Sequence, residues 1–509
     1  MALRKEATTA PALSQSGRQI IRTDFGQVTS QKGNAAPRKE TVFVRKIVVL
    51  ILLACGTTPL ALAQSLAGDW IGQMNGSFKV RIHFERAGAG FSGKLINPSG
   101  NETVLDQITC DGARLHFAVN KLNLSYDGAW NDQEKAWKGT LTFQQVYPLV
   151  LKRATAEDMA PAVHQRPQED AIHAGPAPYV QREVHFNNLA AHNQLAGTLS
   201  LPNGEGPFPA VVLVSGTGHN TRDEDVSGHK VFLVLADALN RKGFAVLRYD
   251  KRGVGGSSGD YDAATTADFA SDAEAAVAWL KTQAEIDRAR IGVLGHSEGG
   301  IIAPAVAATD KSVAFVVMIA GPSIRGDRLF VLQSAMTAKV YGAPDDYIAR
   351  RKVFDQQLYG AILSSPSESA ALDRAKALVA RGVADKLVDA NEAEWLPTDA
   401  TRPWERYFLA YDPAPTLARL TVPVLVLNGS LDVQVPAKEN LAAAREALRN
   451  NLNAAVIELP GMNHLLQDAK TGAPSEYNDI EETMSPAALK LITDWLRRNV
   501  FGHRNEAGS

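Results

Sequence analysis

Two serines of this 509-residue chain stand at the centre of the pattern Gly-x-Ser-x-Gly. Ser297 lies in GHSEGG and Ser257 in GGSSG. A serine so placed can attack an acyl carbon if a base removes its proton and a third group orients the base. With 40 glycines in the chain, the bare pattern arises by chance in roughly one such chain in five, so it decides nothing alone. Asp432 in NGSLDVQVP and His464 in LPGMNHLLQ offer an acid and a base, 32 residues apart. The alternatives are a turn aspartate and a surface histidine.

The elements that would position these residues separate the two serines. PAVVLVSG, FAVLRYD, RIGVLGHS, AFVVMIAG, PVLVLNG and AAVIELPG are short, nearly continuous apolar runs, as parallel strands buried on both faces require. YVQREVHF and LAGTLSLP alternate, as half-buried strands do. Helical patterns lie between the runs. In TTADFASDAEAAVAWLKTQ, residues Phe269, Ala273, Ala276, Val277 and Leu280 make one apolar stripe. The expected fold is α/β, a doubly wound, mostly parallel eight-stranded sheet.

Sites in such sheets lie at the carboxyl ends of the strands. RIGVL runs directly into Ser297, and EGGIIAPAVAA opens a helix after it. Ser257 follows its strand by several residues and is succeeded by more loop, which reads as a turn. Asp432 and His464 come shortly after the last two apolar runs, in the order Ser, acid, His that this sheet favours. Asp432 would hold the imidazole tautomer, and His464 would carry the proton from Ser297 to the leaving group. The amide of Glu298 and that of Thr217, in VSGTGHNTRDED, would hold the oxyanion. Arg222, Asp223, Glu224 and Asp225 in the same loop either contact substrate or brace the loop as ion pairs.

Together GHSEGG, SGTGHNTRDED, RYDKRGVGGSSG, NGSLDVQVP and GMNH resemble bacterial carboxylesterases of the alpha/beta-hydrolase superfamily. They are similar in particular to the branch grouped with serine aminopeptidase-like proteins. The resemblance covers about residues 178 to 500. It implies Ser297, Asp432 and His464 as the triad and Thr217 and Glu298 as oxyanion donors. The family's common His-Gly at the oxyanion loop is Ser215-Gly216 here. Fusion to an amino-terminal all-beta domain is also familiar in the superfamily.

The remaining segments fill in the organisation. A composition 45% hydrophobic and 21% charged is that of a globular chain large enough for two or three domains. Two cysteines, Cys55 and Cys110, exclude a disulfide framework and a cysteine-based zinc site. No metal site and no cofactor is expected. Arg45 and Lys46 precede the apolar run IVVLILLA, and PLALAQ ends with small residues at Ala61 and Ala63, as in an export signal cleaved after Ala63. The run falls short of the roughly 20 residues of a membrane span. A lipoprotein anchor at Cys55 in LLAC is the alternative. The polar residues before Arg45 exceed a normal n-region and fit a misplaced start codon. Without residues 1–63 the chain holds eight more acidic than basic residues, with no basic block for nucleic acid.

Residues 65–152 contain KVRIHF, RLHFAV and LTF, alternating at period two between Gly, Asn and Asp. A small antiparallel barrel or sandwich is expected, either a binding module or an accessory that packs on its neighbour. GDWIGQM and KAWKGTL are a weak echo at its two ends. The proline-rich segment 153–178 reads as a linker with solvated His164 and His173. Residues 324–420 read as a helical cap over the nucleophile within the domain 179–501. Trp395, Trp404, Tyr407, Phe408 and Tyr411 near its end either line a substrate pocket or form core. These features lead to the expectation of an exported serine esterase acting on a small-molecule ester. The alternatives are a serine aminopeptidase-like enzyme and a binding protein on a hydrolase scaffold.

Overall fold

The structure is a computed structural model. It describes residues 66–502, apart from 75–77, 97–101, 121–123, 144 and 160–164. The proposed leader with Cys55, the cleavage site after Ala63, and His164 lie outside the described residues. Among the described residues, no helix is long and apolar enough to cross a membrane.

Nine antiparallel strands from Gly68–Met74 to Gln145–Arg153 form the first sheet. Its two outer strands, Glu102–Val104 and Gln107–Cys110, are consecutive in the chain. Leu105 N donates to Gly93 O and Asp106 N to Ala118 O, both at 2.9 Å, so the two edges meet and the sheet rolls into a barrel. Closure removes the unpaired edges that would otherwise invite aggregation. Trp70, Phe84, Phe117, Tyr126 and Trp137 fill the interior. The two tryptophans of the sequence echo, Trp70 and Trp137, meet there with ring centroids 6.4 Å apart.

The proline-rich segment that follows carries two short helices, Ala156–Met159 and Pro167–His173. Pro167 starts the second, where its missing N–H costs nothing. This helix docks through polar groups rather than an apolar face. Gln168 Oε1 accepts from Thr483 N and Met484 N at 2.6 and 3.0 Å, and Glu169 Oε1 accepts from Lys230 N at 3.1 Å. His173 is exposed.

The second sheet has eight strands: β1 Tyr179–Asn188, β2 Asn193–Pro202, β3 Phe208–Val214, β4 Ala245–Tyr249, β5 Ile286–His296, β6 Val316–Ile319, β7 Val424–Gly429 and β8 Ala454–Leu459. Their order is β1-β2-β4-β3-β5-β6-β7-β8. The sheet is mixed. The pairs β1/β2 and β2/β4 are antiparallel, and the pairs from β4 to β8 are parallel. A connection of four residues between β1 and β2 permits only an antiparallel hairpin, because a parallel return needs a crossover of a dozen or more residues.

Helices cover both faces. Successive residues of a strand point to opposite sides, so β3 feeds two cores. Ala210, Val212 and Val214 pack with the helix stripe Phe269, Ala273, Ala276 and Val277. Val211 and Leu213 pack with Phe232, Leu235, Ile492 and Leu496 on the other side. The helices are α1 Val231–Asn240, α2 Thr266–Leu280, α3 Gly299–Thr309, and later α9 Ala437–Ala447 and α10 Pro486–Phe501. Between β6 and β7 the chain leaves the sheet and builds a helical insertion: α4 Gly326–Val340, α5 Asp345–Leu363, α6 Glu368–Ala384, α7 Ala390–Asp399 and α8 Pro403–Ala410. It has its own core around Phe354, Leu358, Ile362 and Leu409.

Candidate active site

Strand β5 ends at His296 and α3 begins at Gly299, leaving Ser297 and Glu298 to make the turn. Ser297 adopts φ +53°, a conformation that costs a non-glycine residue about 1–3 kcal/mol and persists only where the surroundings enforce it. Its N–H donates to Ile319 O at the end of β6 at 2.9 Å. The turn is tight enough to exclude side chains at both flanking glycines. A Cβ on Gly295 would come within 1.8 Å of Gly299 O, and one on Gly299 within 1.9 Å of Val214 O. Ser297 is half-buried, and its hydroxyl makes no hydrogen bond among the described residues.

Asp432 follows β7 and is fully buried. Its Oδ1 accepts from Gln434 N and Val435 N, both at 2.8 Å, which fixes the carboxylate. Its Oδ2 stands 2.8 Å from Nδ1 of His464, which follows β8. With Nδ1 committed to the carboxylate as the donor, Nε2 is left as the basic nitrogen. The structure thus brings together two of the three expected residues directly. No hydrogen bond joins Ser297 Oγ to His464 among the described residues; His296 links them. Its ring lies 4.8 Å from that of His464, and its Nε2 is 3.1 Å from His464 O.

The loop after β3 lies against the turn, because a Cβ on Gly216 would meet Ser297 Cβ at 2.9 Å. Gly216 O accepts from Lys251 Nζ at 2.6 Å and from Asn220 Nδ2 at 2.8 Å. In a trans peptide the N–H points opposite to the carbonyl, so the Thr217 amide is turned away from both donors. The amides of Thr217 and Glu298 make no hydrogen bond among the described residues. Thr217 is exposed, whereas the Glu298 side chain is wholly buried.

Sequence reasoning missed a layer of buried charge beneath these groups. The Glu298 carboxylate receives Lys251 Nζ at 2.9 Å, Thr266 Oγ1 at 2.8 Å and Trp404 Nε1 at 2.6 Å. Glu224, at φ +49°, accepts from Gly216 N at 2.5 Å and faces His296 Nδ1 at 3.0 Å. Burial works against a charged His296, but the adjacent Glu224 carboxylate outweighs it and holds the pKa above the ordinary 6.5. Lys251, Glu224 and Glu298 lie in the blocks quoted above, and charged residues in strand-flanking blocks are a signal for paired burial. Nothing in the sequence marks Trp404 as a partner of Glu298, 106 positions away.

The Arg222–Asp225 run braces its loop. Arg222 donates to Asp250 Oδ1 and Oδ2 at 3.1 and 2.9 Å, Asp223 pairs with buried Arg248, and Asp225 Oδ1 caps Gly228 N at 2.8 Å. Ser257 is also structural. Its hydroxyl donates to Asp250 O at 2.7 Å and accepts from Ala196 N at 3.0 Å, stapling the glycine loop to β2. Among the described residues no group of three or more His, Cys, Asp or Glu could hold a metal ion.

A buried sheet bearing a strained serine turn at its carboxyl edge, with a His–Asp pair arriving from the last two strands, is the architecture of an alpha/beta hydrolase. The model of the "Alpha/beta hydrolase family" matches residues 211–479, more than half of the chain, and the chain belongs to that family. Among characterised relatives it is similar to esterase EstD of Thermotoga maritima, 30% identical over 305 residues, which are 59% of this chain and 65% of that protein. The chain therefore spans just under two thirds of that relative's length. Among solved structures it is similar to alpha/beta hydrolase GrgF from Penicillium sp. sh18, with 20% identity, 63% of this chain, 99% of that one and a TM-score of 0.41. Esterase Pf2001 of Pyrococcus furiosus gives 16%, 63%, 91% and 0.40.

Proposed function

We propose that this protein is an exported serine hydrolase that cleaves carboxylic esters through an acyl-enzyme. The observation that carries the reading is the 2.8 Å contact of His464 Nδ1 with buried Asp432, on the strand edge where Ser297 is held at positive φ. In this reading His464 Nε2 removes the Ser297 proton as Oγ attacks the ester carbonyl. The amides of Glu298 and Thr217 hold the oxyanion, and the proton passes from His464 to the leaving alkoxide. Water then repeats the sequence on the acyl-enzyme. Similarity to a protein named as an esterase supports the choice of substrate class.

A peptidase acting at an amino terminus needs a free carboxylate for the substrate ammonium. Asp223, Glu224, Asp225 and Glu298 each accept from a protein donor, whereas Glu405 of the cap keeps an oxygen without a partner among the described residues, so the anilide arm of the test below addresses this reading. Export rests on the leader: Arg45 and Lys46, the apolar run and the Ala-x-Ala site. The mature protein would be periplasmic or secreted, and amino-terminal sequencing after expression is expected to read from Gln64.

The test is a panel of p-nitrophenyl esters beside aminoacyl anilides, with wild type and Ser297→Ala. Ester hydrolysis that disappears in Ser297→Ala is expected. Cleavage of anilides alone would overturn the ester reading, and full activity in Ser297→Ala would overturn the nucleophile.

A further inference from the structure

The cap and the barrel together line one cavity of about 1260 Å³. On the cap side its walls include Phe330, Trp395 and Trp404; on the barrel side they include Val80, Leu95 and Thr103. Small-ligand sites span roughly 300–1,000 Å³, so this space is larger than a short-chain ester needs. Its lining is mainly apolar. Trp395 is 46% exposed in it, an indole surface that a soluble protein rarely leaves to water without a use.

One residue ties the Ser297 turn to the wall of this cavity. Trp404 lines it, and the same indole donates to the Glu298 carboxylate, one residue beyond Ser297. From that end the wall follows α4, where Phe330, Ser334, Thr337 and Ala338 recur at helical spacing over about 12 Å. Arg351 is paired with Glu392 at 2.6 Å and with Asp355 at 2.8 Å, which leaves Lys386 as the cation on the wall with no ion pair among the described residues. The apolar residues Phe330, Trp395, Trp404, Val80 and Leu95 on this wall suit an extended hydrocarbon chain.

We infer that the amino-terminal barrel is part of the substrate site: its end, at Val80, Leu95 and Thr103, receives the far portion of an extended apolar acyl group whose ester carbonyl lies at Ser297. This rests on the ester reading above. The barrel core is filled by its own aromatic side chains, so the acyl group meets the barrel's end rather than entering it.

Thr103 is half-buried in the outer strand Glu102–Val104, away from the catalytic residues, so its replacement is compatible with folding. Thr103→Trp fills the cavity at the barrel end, and Thr103→Arg places a charge there. For both, kcat/KM on p-nitrophenyl dodecanoate is expected to fall about tenfold or more while that on p-nitrophenyl acetate stays within about twofold. In the Ser297→Ala background, calorimetric titration with dodecanoate tests binding without turnover, and weaker binding by about tenfold is expected on adding either Thr103 change. Unchanged chain-length ratios and unchanged dodecanoate binding in both variants would overturn the inference, as would no dodecanoate binding at all. If wild type cleaves no ester yet loses dodecanoate binding on Thr103 substitution, the ester reading fails and the composite site stands.

Discussion

The indole N–H of Trp404 donates to the Glu298 carboxylate across 2.6 Å, joining helix α8 of the cap to the residue that follows Ser297. Glu298 sits at the start of α3, and its carboxylate is otherwise held by Lys251 and Thr266. The contact ties the position of the cap to the geometry of the Ser297 turn. Trp404→Phe keeps the ring and deletes the donor. A hydrogen bond to a charged group contributes about 1.5–3 kcal/mol, so kcat/KM for esters is expected to fall about tenfold while the melting temperature moves by only a few degrees. Wild-type kcat/KM in that variant would show that the contact does not position the site.

Asp432→Asn keeps the shape of the side chain and removes the charge facing His464 Nδ1. The amide can present its N–H to the ring and favour the wrong tautomer, so kcat is expected to drop about 10³–10⁴-fold with KM little changed. Steady-state kinetics over a short-chain ester checks this, and a loss smaller than tenfold would argue against Asp432 as the orienting acid.

His296 carries a pH signature. Its native pKa is raised above 6.5 because Glu224 outweighs the cost of burial. A raised native pKa means the folded state holds the proton more tightly than the unfolded state. The stabilisation is therefore complete below about pH 6.5 and is lost as pH rises through the native pKa. Urea unfolding from pH 6 to 9 is expected to show stability falling more steeply in wild type than in Glu224→Gln, which removes the charge. Parallel curves would refute the coupling.

Ser257→Ala tests the second serine. The substitution leaves Ala196 N without its acceptor in a buried loop, at a cost of about 1–3 kcal/mol. A lower melting temperature with most of the ester activity retained is expected. Loss of activity out of proportion to stability would reopen the choice between the two serines.

Much of the architecture was legible because burial on both faces leaves a plain mark. The runs that became β3 to β8 read as parallel strands, and Phe269, Ala273, Ala276, Val277 and Leu280 read as the buried stripe of α2; these five helix residues are nearly inaccessible to solvent, whereas β8, at the edge of the sheet, is mostly half-buried. The mixed character of the sheet was hidden in the hairpin connecting β1 to β2. The docking of Pro167–His173 was hidden too, because polar side chains rather than an apolar stripe hold that helix, and polar partners leave no periodicity. The aromatic cluster of the cap divided: Trp395 and Trp404 line the cavity, while Phe408 is buried in the core.

The sequence by itself determined the strands, most of the helices and the turn that presents Ser297, because strand and helix periodicity and the glycine pattern are local properties of the chain. Only the tertiary structure decided which side chains meet. That Asp432 faces His464, that Glu224 faces His296 across 72 positions, and that Trp404 holds Glu298 across 106 depend on how the strands stack and the cap folds back. Pairing of buried charges is settled by distance in space, and no local spacing along the chain encodes it.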